Sequence, residues 1–81
     1  MNIIKFIKHA KSLDVDELQV VRDALSTKLN AAEVYTSEWT NLTVQRDAVS
    51  DLLRKKLRTK LDSTVLGSPE WVKTFHQLMA I

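Results

Sequence analysis

The chain has 81 residues and no cysteine, and its 12 Lys and Arg against 10 Asp and Glu leave a formal net charge of +2. The missing cysteine excludes a disulfide framework, a thiolate zinc site and a cysteine nucleophile, and it fits a reducing cytoplasm. A chain this short buries only about 60–65% of the surface that it exposes when unfolded, so we expect one domain over residues 1–81 with a small core. Such folds often oligomerise or dock on a partner.

The first predicted helix runs from Asn2 to Ser12. It places Ile3, Ile7 and Ala10 on one face, with lysines on the opposite face. Because lysines interrupt the apolar residues, the segment predicts neither a signal peptide nor a membrane span. Packing of this face against the rest of the protein is the preferred interpretation. The alternative is contact with an anionic membrane surface or with a membrane protein.

A second helix is predicted to begin near Asp14, because Asp14 and Glu17 have the spacing of a capping box. From Leu18 onward, apolar residues recur at alternating steps of three and four, which is the coiled-coil period. We prefer one long helix over Asp16–Asp62, kinked near Trp39. A hairpin is the alternative, because the stretch 36–43 is poor in helix-forming residues.

The only glycine and the only proline lie together, and they predict the start of the last helix. Gly67 can end the preceding helix in the left-handed conformation, Ser68 can cap the next one, and Pro69 suits its first turn. An apolar face follows at helical spacing, made of Trp71, Phe75, Leu78 and Met79. The predicted fold is therefore all-α, a bundle or coiled-coil-like oligomer with a short N-terminal, a long central and a short C-terminal helix.

The heptad-like stripe of the central region is the main candidate binding surface. We interpret it as a seam for self-association or for a protein partner, with Arg46 as the polar residue that sets the register. The same residues would alternatively close an intramolecular core. Trp39 and Trp71 are the first residues to test, because Trp, Tyr and Arg dominate many interfaces. The predicted seam comprises Leu18, Val21, Leu25, Tyr35, Trp39, Leu42, Arg46, Val49 and Leu53.

A basic cluster near the end of the central region is the second candidate. Around a helix its cations fall on both sides of the leucine stripe, and no aromatic residue is interleaved with them. We therefore interpret the cluster as a solvated flank that steers an acidic partner, and nucleic-acid binding is the alternative. The cluster comprises Arg54, Lys55, Lys56, Arg58 and Lys60.

Catalytic and metal-binding signatures do not appear in the sequence. His9 and His76 have no further histidine or acidic residue at the i+3 or i+4 spacing of a metal site, and no glycine-rich loop is present. No serine lies in a recognisable nucleophile turn. We expect a non-enzymatic regulatory or adaptor protein without a cofactor.

Two segments carry a family resemblance. The opening Met1–Lys8 (MNIIKFIK) and the run Asp14–Leu25 (DVDELQVVRDAL) resemble small accessory proteins of T-even-type phages. Among these, the cytoplasmic antiholin class, which acts in lysis inhibition, is similar in length. The resemblance implies binding to the cytoplasmic end of a membrane holin, and it assigns no functional residue to this chain.

Overall fold

Four α-helices account for most of residues 3–81, which are the residues that this computed structural model describes. They are α1 (Ile3–Ala10), α2 (Val15–Ala31), α3 (Ser37–Asp62) and α4 (Pro69–Met79), and residues 3–81 contain no strand. The predicted all-α class and the short helices near both ends are confirmed. Asn2, where the first helix is predicted to begin, lies outside the described residues.

The starts of α2 and α4 follow their predicted signals. The Glu17 N–H donates to Asp14 Oδ1 over 2.8 Å, and the Asp14 N–H donates to Glu17 Oε1 over 3.2 Å, which completes a capping box. Before α4, Gly67 takes the left-handed conformation with φ of 80°. Ser68 is the N-cap and Pro69 lies in the first turn, so the predicted start of the last helix is confirmed.

The chain turns back between α2 and α3. Helix α2 ends at Ala31, and Thr36 caps α3 by accepting a hydrogen bond from the Trp39 N–H over 3.2 Å. The long central helix is thus α3, with 26 residues. It is shorter than the continuous helix preferred over Asp16–Asp62, and the hairpin is the alternative that forms. The physical reason is burial: a hairpin packs the apolar stripe of α2 against that of α3, whereas one straight helix leaves both exposed.

The core lies along α3, which contacts each of the other three helices. Phe6 packs against it from α1, and Leu78 and Ile81 pack against it from the C-terminal region. Seven apolar residues are buried within the described part of the chain, so the core is small, as the length predicts. These seven are Ala10, Leu18, Leu25, Leu42, Val49, Leu53 and Leu57.

The molecule is elongated. Its principal dimensions are 44 × 23 × 15 Å, and its Cα radius of gyration is 14.2 Å, whereas a compact chain of this length has a radius of roughly 12 Å. Helix α3 runs most of the long dimension, because 26 residues at about 1.5 Å each span about 39 Å. The α2–α3 turn therefore lies at one end of the molecule, and α4 packs near the other.

Candidate functional site

The predicted seam divides between the core and the surface. Leu18, Leu25, Leu42, Val49 and Leu53 are buried inside the single chain, and Val21 packs against them half-buried. Their burial corrects the interpretation of these six as an intermolecular contact, because the stripe closes on itself across the hairpin. Intramolecular closure is the alternative that the periodicity left open. Tyr35, Trp39 and Arg46 keep accessible side chains.

Arg46 lies on the flank of the α2–α3 pair, in a shallow cleft of about 360 Å³. Its Nη2 lies 3.9 Å from Asp47 Oδ1. In the same cleft the Arg22 Nε donates to the buried Ser50 Oγ over 3.2 Å, which links α2 to α3. Arg46 is thus paired with a neighbouring carboxylate on its own helix and lies outside the buried stripe, so the structure offers no register contact for it inside the hairpin.

The basic cluster is largely engaged with the protein itself. Lys56 Nζ donates to the Leu13 carbonyl and to the Lys11 carbonyl, which ties α3 to the α1–α2 connection. Arg54 Nη1 donates to Asp51 Oδ1 over 3.1 Å, and Lys60 Nζ lies 3.9 Å from Glu70 Oε1. The side chains of Lys55 and Arg58 are exposed and form no hydrogen bond or ion pair within residues 3–81.

Helix α1 turns its apolar face inward. Ala10 is buried, and Phe6 packs against the core. Ile7 and Lys11 line a shallow groove together with α3 residues, including Lys55. The contacts of α1 with α3 agree with the preferred interpretation of this helix as one that packs on the protein, and they account for the pattern from which the membrane-surface alternative was drawn.

The turn between α2 and α3 carries an exposed aromatic group, which we call the hairpin tip and define as Val34, Tyr35 and Trp39. Tyr35 is 86% exposed, and its φ of 68° makes it the one non-glycine residue with left-handed backbone in residues 3–81. The rings of Tyr35 and Trp39 lie 5.5 Å apart between centroids and are tilted by 59°. The tip therefore presents aromatic surface that the fold does not bury.

A second apolar surface lies on α4. Val72, Phe75 and Met79 recur at steps of three and four and are 39%, 37% and 68% exposed, and we call this set the α4 outer face. Trp71 stacks on Phe75 with centroids 5.3 Å apart and planes 7° apart. On the opposite side of α4, Thr74 is buried and Leu78 packs against the core.

The sequence analysis missed the α4 outer face because it assigned Phe75 and Met79 to the same face as Leu78. Val72 is the residue in the sequence that could have revealed this face. With Val72 added, apolar residues cover more of the circumference of α4 than one stripe facing the core requires, which indicates a second apolar face.

Neither a metal cluster nor a membrane span emerges from the described residues. Residues 3–81 contain no group of three or more His, Asp or Glu side chains that could hold a metal ion. Within the same residues, every helix is too short or too polar to cross a membrane. Comparison of the chain with protein-family models, with curated proteins and with solved structures found no match.

Proposed function

We propose that this protein is a non-enzymatic adaptor that acts by binding other polypeptides and that associates with a second copy of itself through the α4 outer face. The observation that carries the proposal is the cluster of exposed apolar side chains Val72, Phe75 and Met79 on α4. A folded monomer of 9.3 kDa is expected to expose roughly 5,000 Å². This chain exposes 5791 Å², and the larger area follows from its elongated shape.

The α4 outer face is the part of that surface best suited to an interface. It groups three large apolar side chains on one helix, whereas each of the other helices exposes one among residues 3–81: Ile4, Val20 and Val44. Val65 and Leu66, in the turn that leads into α4, are exposed as well. Clustering of this kind is typical of interaction sites, and singly exposed apolar residues are not.

A second copy suits this face because the face can pair with itself. Phe75 lies midway between Val72 and Met79, so a two-fold axis beside Phe75 places Val72 of one protomer against Met79 of its partner. The two helices then run antiparallel, and the N-terminus of each lies near the C-terminus of the other, which is favourable for the helix dipoles. Two-fold dimers are the commonest oligomers, and their interfaces are rich in apolar surface.

Light scattering tests the proposal. The molar mass is measured at protein concentrations from about 10 µM to about 1 mM, a range in which dimers of modest affinity form. We expect the wild type to approach twice 9.3 kDa as concentration rises. Val72→Lys should weaken the dimer at least tenfold, because an unpaired ammonium group inside an apolar interface is costly. Val20→Lys, an equivalent change at an exposed valine of α2, is the matched control and should leave the mass unchanged. A wild type that stays at 9.3 kDa throughout contradicts the self-association.

Nucleic-acid binding, the rival function, loses support from the placement of its residues. Arg54 and Lys60 pair with carboxylates and Lys56 donates to backbone carbonyls, which leaves the side chains of Lys55 and Arg58 as the members of the cluster without a partner in residues 3–81. Cytoplasmic location, a regulatory role and the holin partner implied by the antiholin resemblance stay predictions.

A further inference from the structure

We infer that the hairpin tip binds a cationic segment of a partner protein, with Lys or Arg side chains packing on the rings of Tyr35 and Trp39. The inference rests on the proposed adaptor role, but it is independent of pairing through α4. It assigns the adaptor a partner-binding site at the opposite end of α3 and names the chemistry of what the site accepts.

The backbone at Tyr35 is the first observation. A left-handed φ of 68° is disfavoured for a residue with a Cβ atom, and Gly or Asn is the usual occupant of such a position. A bulky aromatic residue there is strained, and strained residues cluster at functional sites. The residue is 86% exposed, so burial in the core does not explain why Tyr stands at this position.

The aromatic pair is the second observation. Because the two rings are tilted by 59° and not stacked, they do not cover each other face to face, and most of the Tyr35 ring is open to solvent. Aromatic faces attract Lys and Arg side chains that lie within about 6 Å of the ring centroid. Exposed Val34 beside them adds apolar surface for the aliphatic stem of such a side chain.

The charge around the tip is the third observation, and it indicates the sign of the charge that the partner carries. Between Lys28 and Arg46 the sequence contains two charged residues, Glu33 and Glu38, and no cation. Both glutamates are exposed, flank the tip, and form no ion pair within residues 3–81. In a chain with net charge +2 this end is therefore locally acidic, which favours a cationic partner and disfavours an anionic one.

Nitrogen-15 NMR titration of the wild-type protein with a peptide of lysines tests the inference. The Trp39 indole N–H reports on the tip, and that of Trp71 on α4 is an internal reference. We expect the Trp39 signal to shift with added peptide while the Trp71 signal does not move. Tyr35→Asn, which suits the left-handed backbone, should weaken the response at least fivefold without unfolding the protein. The double variant Glu33→Gln/Glu38→Gln should also weaken the Trp39 response at least fivefold without unfolding the protein.

Three results would overturn the inference: no shift of the Trp39 signal, a shift that Tyr35→Asn leaves unchanged, or an equal shift with a peptide of glutamates.

The titration is repeated on Val72→Lys to separate the two interfaces. A monomeric variant that still binds the lysine peptide supports the tip site without self-association. A wild type that dimerises and ignores the peptide removes the tip site and leaves the α4 pairing intact. A tip variant that lowers the oligomeric mass would make a second copy the occupant of the tip and would contradict the inference.

Discussion

At the residue scale, two positions of the described chain adopt left-handed backbone. One is occupied by a glycine, which adopts this conformation easily, and the other by a tyrosine, which does not. Gly67 has a φ of 80°, which glycine adopts readily, but it lies in the turn before α4 and does not end the preceding helix as predicted, because α3 already ends at Asp62 with Ser63 as its C-cap. Tyr35 has a φ of 68° in the α2–α3 turn, where its Cβ atom costs about 1–2 kcal/mol. The sequence predicted the conformation of Gly67. It could not predict that of Tyr35, because the strain follows from the reversal of the chain and not from a local turn signal.

Tyr35→Gly should raise the free energy of unfolding by about 0.5–1 kcal/mol, because relief of the strained backbone exceeds the greater freedom that glycine gives the unfolded chain. Gly67→Ala is the reciprocal change and should lower the free energy of unfolding by about 1 kcal/mol. Apart from the neighbours of Gly67 in sequence, no heavy atom of residues 3–81 lies within 4 Å of an added Cβ at this position, so packing does not mask the backbone effect. Urea denaturation measures both. If Tyr35→Gly is less stable than the wild type, the contact with the Trp39 ring outweighs the strain, and the argument from strain at the tip is wrong.

At the scale of the elements, local signals predicted helix ends well where side chains cap backbone groups. The pair Asp14 and Glu17 and the run Gly67–Pro69 mark the starts of α2 and α4, and both are where the structure places them. The end of α2 was not predictable in the same way. Residues 32–36 contain no glycine or proline, and the break forms because the hairpin buries the leucines of α2 and α3 together.

The role of each apolar face is the other feature that the sequence left open. A stripe at coiled-coil spacing is compatible with a seam between chains and with a core inside one chain, because both need the same periodicity. For Leu18 and Leu53 the structure shows the second, and for Phe75 and Met79, which the spacing groups with Leu78 on one apolar face, it shows exposed surface. Only the tertiary arrangement decides which face of a helix with two apolar sides turns inward.

Lys56 connects two elements, and its replacement tests that connection. Lys56→Met keeps the aliphatic stem but removes the ammonium group that donates to the carbonyls of Lys11 and Leu13. We expect the free energy of unfolding to fall by about 1–2 kcal/mol, because hydrogen bonds from charged donors contribute more than neutral ones. Lys55→Met is the matched control, and at an exposed side chain it should change stability by less than about 0.5 kcal/mol. If Lys56→Met and Lys55→Met change the free energy of unfolding in urea by the same amount, Lys56 has no structural role.

At the scale of the whole molecule, length and composition predicted a small all-α domain with a limited core, and they could not predict its shape. The elongation follows from α3, which extends over most of the 44 Å dimension and has the hairpin tip at one end. Helix α4 packs along the other half of α3, where Lys60 lies 3.9 Å from Glu70. A dimer formed through α4 therefore leaves both hairpin tips open. Two tips in one assembly would bind a partner with repeated cationic segments more tightly than either tip alone.

The measurement that tests the central claim most directly is the molar mass of two complementary variants, Val72→Lys and Met79→Glu, separately and mixed in equal amounts. In the antiparallel pairing, the introduced lysine of one protomer faces the introduced glutamate of its partner at one contact, and Val72 and Met79 still pack at the other. We predict that each variant alone stays near 9.3 kDa and that the mixture recovers most of the mass of the wild-type dimer. Variants that keep the wild-type mass, or a mixture that remains monomeric, would contradict self-association through the α4 outer face.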